Sequence, residues 1–224
     1  MIRWVHLDTA QIPDGGELRL MQRGAEFSIM SGPIELMNSR LAGSERALAS
    51  LSCERIRDRA RPRMLIGGLG MGFTLRAALA ELPADAEVVV AELLPAVVAW
   101  ARGPLAHIFD GCLEDRRVVV READVAEVIG VAADGAYDAI LLDVDNGPGG
   151  LNREANDRIY AAEGLAAARA ALRPGGVLAV WSVKPDSAFV QRLRRSGYAV
   201  EERRVAARES GRGARHIIWL ATPG

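Results

Sequence analysis

The residues best suited to chemistry are a glycine cluster and two acids downstream of it. Gly67, Gly68, Gly70 and Gly72 fall within residues 63–92, RMLIGGLGMGFTLRAALAELPADAEVVVAE. Glycine lets backbone approach a ligand closely, and amides at a helix start favour negative charge. Glu92 follows about 20 residues after the cluster, where an acid can accept hydrogen bonds from ribose hydroxyls. The second acid is Asp143, which closes the apolar run YDAILLD at 137–143. A carboxylate at the carboxyl end of a central strand faces the crevice where α/β sheets bind ligands. There it can orient a nucleophile and take its proton. A turn-capping acid is the plainer role for it.

These groups need a scaffold, and the sequence supplies one. Residues 64–66 form a short apolar run between Pro62 and Gly67, as a strand buried on both faces does. A helix follows with Leu75, Leu79 and Leu82 on one face, closed by Pro83, and then a second strand at 88–90. Strand, glycine turn, helix, strand and terminal acid make a nucleotide-binding βαβ half; the bland alternative is a tight βα turn that binds nothing. The cluster reads G-x-G-x-G, with Phe73 where a dinucleotide motif needs its last glycine, and no G-K-S/T follows for a P-loop.

Upstream, residues 1–60 are predicted as an extension of short strands at 5–9, 18–23 and 26–30. Ser31-Gly32-Pro33 breaks that pattern, and a helix begins at Ser44. Residues 61–224 are predicted as the ligand-binding domain. Pro95 opens a helix to about Ala106, 117–121 is a third strand, and Asp124 opens a short helix. The run 137–143 is a fourth, internal strand, and 152–172 a long alanine-rich helix stopped by Arg173-Pro174-Gly175-Gly176. Residues 177–182 are a fifth strand, 186–196 a helix, and 198–204 and 215–221 two last strands. Alternating strands and helices require a parallel sheet covered on both faces. The last two strands leave no room for a helix between them and must pair antiparallel. The expected fold is therefore α/β, Rossmann-like, with a mostly parallel seven-stranded sheet ending in an antiparallel hairpin. That ending is the arrangement of class I S-adenosylmethionine-dependent transferases.

Composition bounds the partners. A formal net charge of −1 gives no overall attraction to nucleic acid or an anionic membrane, and no apolar run reaches spanning length. Cys53 and Cys112 make neither a metal spacing nor a disulfide framework, and the first residues lack the apolar core of a signal peptide; both fit the cytoplasm. The strand edges and apolar residues of 5–30 call for cover, so a homodimer is expected.

The motifs IGGLGMGFTLRAAL at 66–79, Glu92, Asp124, YDAILLD at 137–143, Tyr160 and LRPGGVLAV at 172–180 resemble the spermidine synthases. These polyamine aminopropyltransferases are built on the methyltransferase fold. The resemblance implies that Gly68, Gly70 and Gly72 hold a sulfonium ligand, S-adenosylmethionine or its decarboxylated form. It implies that Glu92 takes the ribose hydroxyls, that Asp124 faces the adenine amino group with Ala123 beside it, and that Asp143 orients and deprotonates an attacking amine.

The chain departs from the family at two places. Met71 stands where the family has an acid, and Asp143-Val144-Asp145-Asn146 replaces a run with a second acid further on. Putrescine is thus expected to be a poor acceptor. Methyl transfer to a small molecule is the alternative reading, and a non-catalytic nucleotide-binding module the third. Asp145, Asn146, Tyr160 and Lys184 are candidate acceptor contacts. Lys184, the only lysine, could pair with Asp143, meet a substrate carboxylate, or lie solvated in its loop. Trp181-Ser182-Val183-Lys184 replaces the Asp-Asn of metal-dependent O-methyltransferases, so no metal is expected.

Overall fold

The computed structural model describes residues 2–12, 15–144, 147–148, 158–208, 210–211 and 213–224. An antiparallel sheet comes first: β1 (Val5–Gln11), β2 (Glu17–Arg23), β3 (Glu26–Ser31) and β4 (Ile34–Asn38), in that order. Leu18, Leu20, Phe27 and Ile29 make its buried face by alternation. Ile2, Trp4, Val5 and Leu7, at and before edge strand β1, are exposed. The fourth strand corrects the expected break at 31–33. Gly32 (φ 54°) turns the chain straight back, and a register shift between Ile29 and Met30 blurs the period-two pattern. Helix α1 (Gly43–Ile56) then crosses to the main domain and packs on the helix after β5 and on the main sheet.

The main sheet is seven-stranded, as expected. It comprises β5 (Arg63–Gly67), β6 (Glu87–Glu92), β7 (Val118–Glu122), β8 (Tyr137–Leu142), β9 (Leu172–Ser182), β10 (Tyr198–Ala206) and β11 (Arg215–Pro223). Their order is β10-β11-β9-β8-β5-β6-β7, and only the pairs made by β11 are antiparallel. β8 is buried at every residue, as its apolar run requires. Helices α2 (Phe73–Glu81), α3 (Pro95–Arg102), α4 (Ala106–Phe109), α5 (Val125–Gly130), α6 (Ala162–Ala171) and α7 (Ser187–Arg195) connect the strands. Among the described residues no helix is long and apolar enough to cross a membrane.

Three predicted bounds shift. The helix from Pro95 ends at Gly103, whose N–H bonds to the Ala99 carbonyl, because Pro104 cannot continue the turn. Ala161 (ψ 169°) interrupts the alanine-rich helix, and α6 begins after it; residues 152–157 lie outside the described residues. β9 starts at Leu172, ahead of the Pro-Gly-Gly stop. Leu172 pairs with Tyr137, and the extra residues are absorbed in a register shift with Gly175 at φ 73°. The fully buried Asp138 pins this corner, accepting from the Arg63 N–H (2.9 Å) and Arg173 Nη1 (2.8 Å).

Candidate active site

The carboxyl ends of β5, β6, β8 and β9 meet beneath the antiparallel sheet. The glycine turn leaves β5 at Gly68, which has φ 90° and donates its N–H to Ala91 at 2.8 Å. A β-carbon there would fall on the Asp143 carbonyl oxygen. The site thus demands glycine twice, by backbone angle and by space. Gly68→Ala is expected to cost about 1–3 kcal/mol, the strain of a non-glycine residue at such a dihedral. The check is a lowered denaturant midpoint at unchanged slope. Gly72 (φ 76°) precedes α2, whose start has no side-chain cap.

Glu92 ends β6 and is 8% exposed. Its Oε2 accepts from the Leu69 N–H and its Oε1 from the Leu94 N–H, each at 2.9 Å. The acid therefore holds the glycine loop to the turn after β6 from below. Ala123 donates its N–H to the Glu92 carbonyl at 3.0 Å, and Asp124 caps α5 by accepting from the Ala126 N–H at 2.8 Å. Glu92, Ala123 and Asp124 thus gather at one rim of the sheet beside the glycine loop.

Asp143 follows β8, and its N–H extends the strand ladder to the Gly67 carbonyl at 2.9 Å. Its Oδ2 accepts from Thr74 Oγ1 at 2.6 Å. Burial pushes its carboxyl up to about 7, the charge of Glu45 adds to the rise, and the Thr74 bond opposes it. The cleft it lines has a volume of about 90 Å³. Leu36, Met37 and Asn38 of β4 roof it, Leu69, Gly70, Met71 and Phe73 form the glycine-loop side, and Glu45 and Trp181 complete it. A half-buried carboxylic acid held near neutrality beside a cleft is suited to taking a proton from a nucleophile.

Tyr160 and Lys184 lie away from this cleft. Tyr160 is 2% exposed, with its ring edge-on to Phe189 at 5.6 Å in the core of the opposite face. Lys184 is exposed, its backbone tied to the Ser182 hydroxyl, and it makes no ion pair with Asp143. Asp145 and Asn146 lie outside the described residues. Burial pushes the Cys112 thiol up to about 11 and the Cys53 thiol up to about 12, so both stay protonated. Arg203 and Arg204 pair with Glu201 and Glu202 along their own strand. Among the described residues no cluster of three metal-ligating side chains occurs.

Glu45 was not foreseen. An acid in a helix's first turn is ordinary, and no local spacing marks this one as facing a cleft.

No family model matches the chain. It is 32% identical over 159 residues to polyamine aminopropyltransferases of Mycobacterium tuberculosis and Mycobacterium bovis. That match takes in 67% of this chain and 29% of those relatives' length. A spermidine synthase from Thermotoga maritima superposes with a TM-score of 0.77 at 18% identity, covering 98% of this chain and 73% of that one. A spermidine synthase bound to the transition-state analogue AdoDATO gives a TM-score of 0.75 at 19% identity, covering 98% and 72%.

Proposed function

We propose that this chain, which belongs to the spermidine synthase family over the segment shared with those relatives, is a transferase. In this reading it moves an alkyl group, an aminopropyl group by family likeness, from an S-adenosylmethionine-type sulfonium to an amine. The observation that carries the reading is Asp143: a cleft carboxylate beside the glycine loop with its ionisation near neutrality.

The residues fit a sulfonium nucleoside. A β-carbon at Gly70 would meet only Met37 Sδ, at 3.5 Å, so the loop has a bare backbone face open toward the cleft. Gly68, Gly70 and Gly72 would hold the ligand, Glu92 the ribose, and Ala123 with Asp124 the adenine. When bound, the sulfonium supplies a carbon already activated toward displacement. The chain's own task is then alignment and proton removal. Asp143 orients the acceptor nitrogen and takes its proton, Thr74 fixes the rotamer of Asp143, and the apolar walls exclude water. The two buried free thiols support a reducing, cytoplasmic setting.

The largely apolar wall of Leu36, Met37, Leu69, Met71, Phe73 and Trp181 favours the alternative of methyl transfer to a small molecule. Met71 also stands where the resembling family has the acid that takes the aminopropyl ammonium. A lost charge-assisted hydrogen bond of that kind costs about 1.5–3 kcal/mol, so decarboxylated S-adenosylmethionine with putrescine should react slowly.

Calorimetry with S-adenosylmethionine, its decarboxylated form, methylthioadenosine and NAD separates these readings, followed by assays with putrescine. Adenosine-containing sulfonium compounds should bind and NAD should not. Tight NAD binding with no response to methylthioadenosine would overturn the reading. Preference for the intact amino-acid tail would favour methyl transfer. Binding without turnover of any acceptor would leave the non-catalytic module.

A further inference from the structure

Glu45 brings a second carboxylate into the cleft from a helix that lies outside the nucleotide-binding half. We propose that Glu45 is a positioning residue whose carboxylate forms a dyad with Asp143 that receives a cationic nitrogen of the acceptor. The proposal rests on the reading of the cleft as the acceptor site and adds a residue that no motif assigned.

Both acids line the one cleft, and Thr74 stands between Asp143 and the backbone of Glu45. Its hydroxyl donates to Asp143 Oδ2 at 2.6 Å, and the same oxygen lies 3.5 Å from the Glu45 carbonyl oxygen. On the other side Glu45 is fixed by Ser44, which is fully buried. The single Ser44 hydroxyl proton goes to Glu45 Oε2 at 2.7 Å. Ser44 Oγ must then accept from His216 Nδ1, 2.9 Å away, which sets the His216 tautomer with its proton on Nδ1. Burial lowers the pKa of His216, so its ring is a neutral donor and no countercharge. His216 in turn meets Trp181 edge-on at 4.8 Å.

Among the described residues, what the dyad lacks is a cation. Thr74 of α2, Ser44 of α1, His216 of β11 and Asn38 of β4 face it, and none is charged. Among the described residues no lysine or arginine pairs with either acid, and Lys184 is exposed. Burial raises the pKa of Glu45 as it does that of Asp143. Two such carboxyls keep one proton between them or take up a positive ligand. Trp181, 8% exposed, lines the same cleft. When an ammonium enters, its proton passes to Asp143. The freed amine displaces the thioether at the sulfonium co-substrate's carbon, the carbon–sulfur bond breaking as the carbon–nitrogen bond forms. Glu45 stays as the countercharge to the alkylated, now cationic nitrogen.

The test is Glu45→Gln, which keeps the side-chain length and the oxygen facing Ser44, with Glu45→Asp as the conservative variant. Carbon-13 NMR of the Asp143 carboxyl reads its titration without any turnover. Its midpoint should fall by about one pH unit in Glu45→Gln, since a like charge is gone, and should stay near the native value in Glu45→Asp. In steady-state assays with an amine acceptor, KM should rise about tenfold, one lost charge contact, at unchanged methylthioadenosine affinity. An Asp143 midpoint identical in native protein and Glu45→Gln would overturn the dyad. Should the native protein turn over no amine, the proposed function falls, while the NMR midpoint still decides whether the two acids act together.

Discussion

Asp143→Asn is expected to lower turnover by about 10²–10⁴-fold, the usual worth of a positioned general base. Methylthioadenosine binding should persist, because the glycine loop and Glu92 are untouched. The pH profile gives the sharper signature. The Asp143 carboxyl is pushed up to about 7 by burial and the nearby charge of Glu45. It is therefore protonated and idle in acid, and the native rate should climb through about pH 7 and level off above it. In Asp143→Asn that limb should vanish.

Stability should move the opposite way, and the sign follows from linkage. A carboxyl with a raised folded-state pKa holds its proton in the native state where the unfolded chain has lost it. Native stability then falls as pH rises from the ordinary carboxylate value, 3.8, to about 7, and stays low above that. Removing the charge should raise Tm by a few degrees at pH 8 and leave it nearly unchanged at pH 4, at the usual ~2–4 °C per kcal/mol for a chain of this size. Full turnover by the asparagine variant, or a native rate flat across neutrality, would remove Asp143 from the mechanism.

Glu92→Ala should have the largest structural effect. Both carboxylate oxygens accept buried backbone N–H groups, from Leu69 and Leu94. Truncation leaves both donors without an acceptor, at about 1–3 kcal/mol each, so a loss of about 2–6 kcal/mol is expected. The glycine loop should loosen with it, and methylthioadenosine binding should be lost as a consequence. Glu92→Gln is expected to recover only part of the loss, because an amide offers one acceptor oxygen and sets its NH₂ against a second N–H. Chemical denaturation alongside calorimetry checks both claims. An unchanged denaturation midpoint would show that these two bonds do not hold the loop.

The scaffold was largely legible because its signals are local. The apolar run of β8, the glycine turn after β5 and the short gap before the last strand each follow from a few neighbouring residues. The loss of β4 in the reading has an equally local cause. A glycine-proline turn looks like an end to the sheet when the strand beyond it is half exposed and its register is shifted. That omission mattered, since β4 roofs the cleft through Leu36, Met37 and Asn38.

By itself, then, the sequence determined the βαβ half, the antiparallel close of the main sheet, and the placing of Asp143 at a strand end. Periodicity and turn chemistry act between near neighbours, so one chain displays them. Only the tertiary structure decided that Glu92, expected to meet a ribose, also ties the Leu69 N–H of the glycine loop to the Leu94 N–H of the turn after β6, and that Tyr160 is a core ring. It alone brought Glu45 into the company of Asp143, from residues far apart in the chain. The reason is physical: pairing of side chains across such distances is set by how α1 packs on α2 and the sheet, and neither residue type nor spacing encodes that packing.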